Sequence, residues 1–185
     1  MEYYINLPTT EEKLVELKSG DSVYLSGIIY TARDAAHKRL VALINDGKPL
    51  PFDLDNAVIY YVGPTPAKPG EIIGSAGPTT SYRMDAYAPL LMDHGVCGMI
   101  GKGKRSQDVK ESMVKNKAVY FAAIGGAGAL LANCIKKSEV IAFDDLGSEA
   151  IHRLEVENFP VTVINDTHGN DLYISGRQEY LKKCI

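Results

Sequence analysis

Apolar positions along the chain follow two rhythms, and each change of rhythm marks an element. Asp21–Thr31, "DSVYLSGIIYT", is β-branched and aromatic and predicts a strand. "ARDAAHKRLVALINDG" then has helical composition, with Leu40, Leu43 and Ile44 on one face and Gly47 as its stop. A second strand covers Ala57–Gly63 and ends in "GPTPAKPG", a turn that neither helix nor ladder can continue. "EIIGSAG" predicts a short strand, and "MDAYAPLLMDHG" a helix interrupted or ended near Pro89. Beyond it, strands are expected in "GVCGMIG", "AVYFAAIG" and "EVIAF", with helices over Gln107–Asn116 and "GAGALLANCIKK". "GSEAIHRLEVENF" reads as mainly helical, "PVTVINDTHGNDLY" as a strand with a turn or hairpin, and "GRQEYLKKCI" as a short helix.

Strand and helix alternating over residues 95–165 predict parallel βαβ units. The first third is richer in strand and turn, so the expected class is α/β with a mixed sheet and β/β/α layering. The 185 residues suit one domain, 1–185. The net charge of −3 argues against a general nucleic-acid or membrane-surface binder. No stretch reaches the ~20 apolar residues of a membrane span, and the N-terminus lacks a signal peptide's basic region and apolar core. Cytoplasmic location is the expectation. Cys97, Cys134 and Cys184 form no C-x-x-C, and His37, His94, His152 and His168 have no metal spacing, so no metal site of the chain's own is expected. Cys97 and Cys134 read as small buried hydrophobes.

The chemistry concentrates in "GPTTSYRMD", Gly77–Asp85. With Thr80 as a helix cap, Arg83 occupies the first turn, where the positive helix end prefers carboxylates. Arg33 follows the first predicted strand directly, and Lys102, in "MIGKGKR", follows another. Ligands of open α/β sheets bind at the carboxyl ends of strands, so three cations at such junctions can converge on one small anion, a dicarboxylate or a phosphate. Singly, each has a plain reading: Arg33 pairs with Asp34, Lys102 is a solvated charge, Arg83 bonds Asp85, and Thr79 and Thr80 form a turn and a cap. Together they favour an anion site. "IGGAGALL" lacks the G-x-G-x-x-G spacing, with Leu131 where the third glycine belongs, and close helix–sheet packing explains it better than a dinucleotide. His37 lies four residues after Arg33, where it either orients a neighbour or sits on the helix surface.

"SGIIYTARDAAHKR", "GPTTSYRMD" and "GMIGKG", in this order and spacing, resemble the C-terminal domain of class I (iron–sulfur) fumarases. That domain is also the β subunit of two-subunit fumarases and of L(+)-tartrate dehydratase. The resemblance runs from about Leu14 to "NDTHGNDLY". It implies a swivelling β/β/α fold and reversible hydration of a dicarboxylate double bond at a site shared with a cluster-bearing α part. The [4Fe–4S] cluster would be held by three cysteines of that partner and none of it by this chain, in a hetero-oligomer of paired α and β chains. Carried over, Thr79 becomes the candidate general base, acting with a carboxylate of the partner. Arg33, Thr80, Arg83 and Lys102 become the residues that hold the substrate's carboxylates, and Asp34, His37 and Asp85 stand behind them in support. The bound dicarboxylate would supply the negative charge missing beside Arg83. Fumarate and malate are the favoured substrate pair, with L-tartrate or mesaconate as alternatives. A non-catalytic dicarboxylate-binding or assembly module is the reading from a different class.

Overall fold

The computed structural model describes residues 1–183, so the notice taken of Cys184 in the sequence lies outside the described residues. Seven strands are joined in the order β1-β2-β3-β4-β5-β7-β6, and β2 also pairs with β7. Their ranges are β1 Glu2–Leu7, β2 Ser22–Thr31, β3 Val58–Tyr60, β4 Gly98–Gly101, β5 Val119–Ala122, β6 Ile135–Ala142 and β7 Ile151–Asn165. Strands β1 to β5 pair in parallel, whereas β7 runs antiparallel to β2, β5 and β6. Because β7 pairs with both β2 and β5, the ladder β2-β3-β4-β5-β7 closes on itself. The helices are α1 Glu11–Glu16, α2 Asp34–Asn45, α3 Ala88–Asp93, α4 Gln107–Asn116, α5 Gly128–Asn133 and α6 Leu172–Lys183. Among the described residues, no helix is long and apolar enough to cross a membrane.

Two cores result, one on each face of the strands. Inward residues at alternate positions, such as Val23, Leu25 and Ile29 of β2 and Phe159, Val161 and Val163 of β7, fill the first. Ile59, Met99 and Tyr120 point the other way and meet Ala36 and Leu40 of α2, Leu91 of α3, and Val109 and Met113 of α4. Strand on strand and then helix on strand is the expected β/β/α layering, and the fold is mixed α/β.

The structure corrects several element expectations. β1 is an additional strand. "EIIGSAG" is a loop, not a strand: Thr65 and Ser75 bond across its neck, and Ala76 N–H donates to the Gly128 carbonyl at 3.1 Å. Pro89 opens α3 and does not end it, because its missing N–H costs nothing in a first turn. α5 stops at Asn133, and "CIKK" already leads into β6. The piece read as mainly helical is the first half of β7, preceded by a 3₁₀ helix at Asp144–Glu149. The predicted parallel βαβ pattern holds for β4-α4-β5 and fails at β6 and β7.

The misreading of β7 has a local cause. Leu154 and Val156 face the core, and so do Phe159, Val161 and Val163, so the alternation changes phase. Three steps on β7, from Val156 to Phe159, oppose two on β2, from Gly27 back to Leu25. That is a β-bulge, with Asn158 at φ 49° as its extra residue. Opposite the bulge, Gly27 has φ 119°, and a Cβ there would strike the backbone of Leu7, coming within 3.0 Å of its nitrogen and nearer still to its carbonyl oxygen. Gly27→Ala therefore costs about 1–3 kcal/mol of stability through backbone strain alone, read as a lower urea midpoint. An unchanged midpoint contradicts this account.

Candidate active site

Strands β2, β3 and β4 are parallel neighbours, so their carboxyl ends lie at one end of the molecule, and the candidate residues follow them. Beyond β3, the chain loops out over residues 63–78 and returns where Thr79 N–H donates to the Tyr61 carbonyl at 2.7 Å. Lys102 N–H donates to the Thr79 carbonyl at 3.3 Å, and Ser81 N–H to the Lys102 carbonyl at 2.8 Å. Thr80 and Lys102 thus form a parallel bridge just past the end of β4. Thr79 is half-buried, while Thr80, Arg83 and Lys102 are exposed.

"SYRM" is a single 3₁₀ turn, Ser81–Met84, and Thr80 makes no side-chain capping bond. The expectation of a capped α-helix is therefore wrong. The charge beside Arg83 is supplied by the protein itself: Arg83 Nε donates to Asp34 Oδ1 at 2.8 Å. Asp34 is the first residue of α2, where a carboxylate suits the helix dipole. Arg33, the residue before it, reaches Glu149 Oε1 at 3.2 Å and lies 3.9 Å from Asp34 Oδ2. Glu149 Oε2 also accepts from Ala35 N–H at 3.1 Å. Arg33, Asp34 and Arg83 form one cluster and Thr79, Thr80 and Lys102 another, joined by the short run from Thr80 to Arg83.

Asp85 is occupied elsewhere. It accepts from Arg105 Nε at 2.7 Å and from Ser106 N–H, at the start of α4, at 2.6 Å. The Arg105 side chain is 0% exposed, with its guanidinium 5.4 Å from the Tyr61 ring centroid and 5.0 Å from that of Tyr120. Sequence reasoning passed over Arg105 and Glu149. Arg105 ends the run "KGKR", which reads as solvated charge, and only the acidic residue twenty positions earlier could have hinted at a partner.

His37 is wholly buried and is no surface residue. Its Nδ1 donates to the Arg33 carbonyl at 2.9 Å, and its ring meets Tyr61 edge-on at 5.3 Å. Burial, reinforced by the nearby Arg105 charge, pulls its pKa down to about 4, so it is neutral at pH 7. The Gly-rich stretch is also explained by packing: a Cβ on Gly128 would meet Ser75 Oγ and lie 3.0 Å from Gly77 N. A cavity of about 580 Å³, lined by Thr65, Ile73, Ser75, Ala132 and Lys136 among others, lies under the 63–78 loop and contains none of the candidate residues. Thr80, Arg83 and Lys102 stand on an open face.

Two predictions follow from this geometry. Arg105→Met strands a nearly buried Asp85 and costs about 3–5 kcal/mol, whereas adding Asp85→Asn recovers part of that loss in a denaturation series. His37 takes up a proton at an ordinary pKa of 6.5 when unfolded but only near 4 when folded. The unfolded state therefore binds more protons in that window, and stability falls as pH drops through it, by up to about 1.4 kcal/mol per unit. His37→Gln flattens this slope, with His152, whose pKa is also lowered by burial, keeping a remainder. Urea midpoints at about pH 7 and about pH 4.5 measure both.

Residues 2–176 match the family described as "Fumarase C-terminus". The chain is 41% identical over 179 residues to a putative L(+)-tartrate dehydratase subunit beta of Methanocaldococcus jannaschii, covering 94% of this chain and 91% of that one. It is 44% identical over 162 residues to the anaerobic class I fumarate hydratase of Escherichia coli, covering 86% of this chain but 29% of that enzyme. A putative class I fumarate hydratase of Geobacillus stearothermophilus is 36% identical over 184 residues, 97% of this chain and 35% of its own length. The chain thus spans about a third or less of the fumarate hydratases it matches and nearly all of the tartrate dehydratase β subunit. By sequence across nearly its whole length, the chain belongs to the Fumarase C-terminus family.

Proposed function

We propose that this chain, as one unit over 1–185, is the β subunit of an iron–sulfur hydro-lyase that reversibly hydrates fumarate to L-malate in the cytoplasm. The observation that carries the proposal is the Thr80–Lys102 bridge, which ties "GPTT" to "GKG" at the strand ends where Arg33 and Arg83 also stand. The openness of that face supports a second half from a partner chain. Dicarboxylate recognition by Arg and Lys is strong only where water is excluded, and here Arg83 and Lys102 are exposed. The family resemblance assigns a [4Fe–4S] cluster to that partner, where it would supply Lewis-acid chemistry. The described residues do not fit such a cluster: Cys97 is buried just before β4, the half-buried Cys134 ends α5, and among the described residues no three metal-ligating side chains stand together.

The chain's own contribution is binding and proton transfer. Lys102 and Arg83 hold carboxylates of the substrate, with Arg33 and Thr80 beside them. In the dehydration direction, the Thr79 oxygen accepts the proton from the carbon next to the one losing hydroxide; in hydration it returns it. A threonine hydroxyl is a poor base on its own, and nearby cations in a desolvated site are what stabilise its alkoxide. Asp34 holds the Arg83 side chain in place, and His37 fixes the backbone of Arg33.

The test is anaerobic fumarate hydration, first by this chain alone and then with a cluster-bearing α partner. Activity in the assembled mixture only, and its loss to under about 1% with Thr79→Val while assembly persists, is the expected result. Survival of turnover in Thr79→Val removes Thr79 as the base. An intact, cluster-loaded complex inert toward fumarate removes the fumarase assignment; L-tartrate and mesaconate then decide between another hydro-lyase and a non-catalytic module.

A further inference from the structure

Gly103 follows Lys102 and leaves the ladder at φ 83°, so the sheet no longer satisfies its peptide groups. Two tyrosines from separate elements, β5 and α6, satisfy them instead. Gly103 N–H donates to the Tyr173 hydroxyl at 3.3 Å, and the Tyr120 hydroxyl donates to the Gly103 carbonyl at 2.9 Å. The single Tyr120 proton is thereby committed. Ser81 Oγ, 2.9 Å away and wholly buried, must be the donor to Tyr120. Ser81 in turn donates its N–H to the Lys102 carbonyl. The peptide groups on both sides of the Lys102 side chain are therefore held from behind.

Delivery of Tyr173 is the work of "NDTHGNDLY", a segment to which the proposed reaction gives no task. Asp166 turns the chain by accepting from the N–H groups of His168 and Asn170, both at 3.0 Å, and it anchors the turn to Ser19 N–H at 3.0 Å. Asn165 and Asp171 bridge the turn's base. Asp171 accepts from Tyr173 N–H at 2.9 Å and pairs with Lys110 of α4 at 2.6 Å. The start of α6 is fixed from several directions, and its second residue is Tyr173.

We propose that Tyr173 and Tyr120 are positioning residues that clamp Gly103 and so hold Lys102 at its working place beside Thr79 and Thr80. The inference rests on the hydro-lyase reading for its consequence in catalysis, although the clamp itself can be tested without it. The Tyr173 hydroxyl bonds Gly103, next to Lys102, so its effect passes through Lys102 and vanishes where Lys102 is absent.

Tyr173→Phe and Tyr120→Phe, each in the complex assembled with the cluster-bearing partner, remove only a hydroxyl. Each should lower kcat/KM for fumarate about tenfold through misplacement of the lysine. The acid limb of the pH profile of kcat/KM for L-malate dehydration, the direction in which Thr79 is the base, should move to higher pH, because a displaced cation depresses the base's pKa less. Assembly and cluster content should stay as in the parent; the thermal midpoint should stay for Tyr173→Phe and fall for Tyr120→Phe, which leaves the buried Ser81 hydroxyl without its acceptor. In a Lys102→Met background, Tyr173→Phe should cost nothing further. An unmoved acid limb, or losses that multiply in that background, overturns the proposal. If the parent complex turns over no dicarboxylate, the functional reading has failed, and amide exchange judges the clamp alone: faster exchange at Lys102 and Gly103 in Tyr173→Phe supports it, and unchanged rates overturn it.

Discussion

A guanidinium with no exposed surface has to be neutralised where it stands, and the buried Arg105 imposes that demand on four segments at once. Its partner Asp85 comes from the 3₁₀ turn, its flanking rings from Tyr61 after β3 and Tyr120 in β5, and the helix it leads into, α4, opens on a bond to the same carboxylate. Withdrawing two charges from water costs several kcal/mol per ion, offset only when geometry and hydrogen bonding are good. The pair therefore tolerates little variation. Thr79 and Thr80 lie a few residues before Asp85, and Lys102 three before Arg105, so fixing the charge pair fixes the roots of both segments that carry the candidate residues.

Above this buried pair, the exposed Arg83 and the half-buried Arg33 are held by a different logic. Both are long, flexible cations, and left alone they would sample many rotamers. Asp34 and Glu149 restrain them, each carboxylate also tied to the start of α2. Partly exposed pairs of this kind add little stability. Their effect is orientation: Asp34 fixes where the Arg83 guanidinium stands, and Glu149 where that of Arg33 does. His37 completes the arrangement by remaining neutral. A protonated imidazole within reach of Arg105 would place like charges together in the interior, and burial prevents it.

How much of this was legible in the sequence differs by element. The strands β2, β3, β4 and β5 and the helices α2 and α4 each carry an uninterrupted local signal, and residues placed at their ends by reading alone do lie at one end of the sheet. β7 was not legible because its bulge reverses the alternation midway, and neither half looks like a strand fifteen residues long. The partnership of Arg83 was misjudged for a different reason. Local rules about helix ends concern neighbours in sequence, whereas Asp34 is forty-nine residues away and arrives through the packing of α2 against the 3₁₀ turn. Arg105 escaped for the same reason: burial of a charge is decided by tertiary partners, and nothing adjacent to it announces them.

Glycine-rich sequence at the end of a strand invites a nucleotide reading, and the packing here gives the reason to resist it. In phosphate-binding loops, small residues let a ligand approach the backbone. In this chain, other protein atoms take that space: Ser75 and Gly77 press against Gly128, and Ser81 Oγ fills the place where a Gly101 side chain would begin. The second contact has a functional meaning, since it lets Ser81 lie flat on the end of β4 and reach Tyr120. Had Gly101 carried even a methyl group, Ser81 would be lifted from the sheet, and the Thr79–Ser81 segment with it. Absence of a side chain at one position is thus what brings the threonine and lysine segments close enough to share main-chain hydrogen bonds.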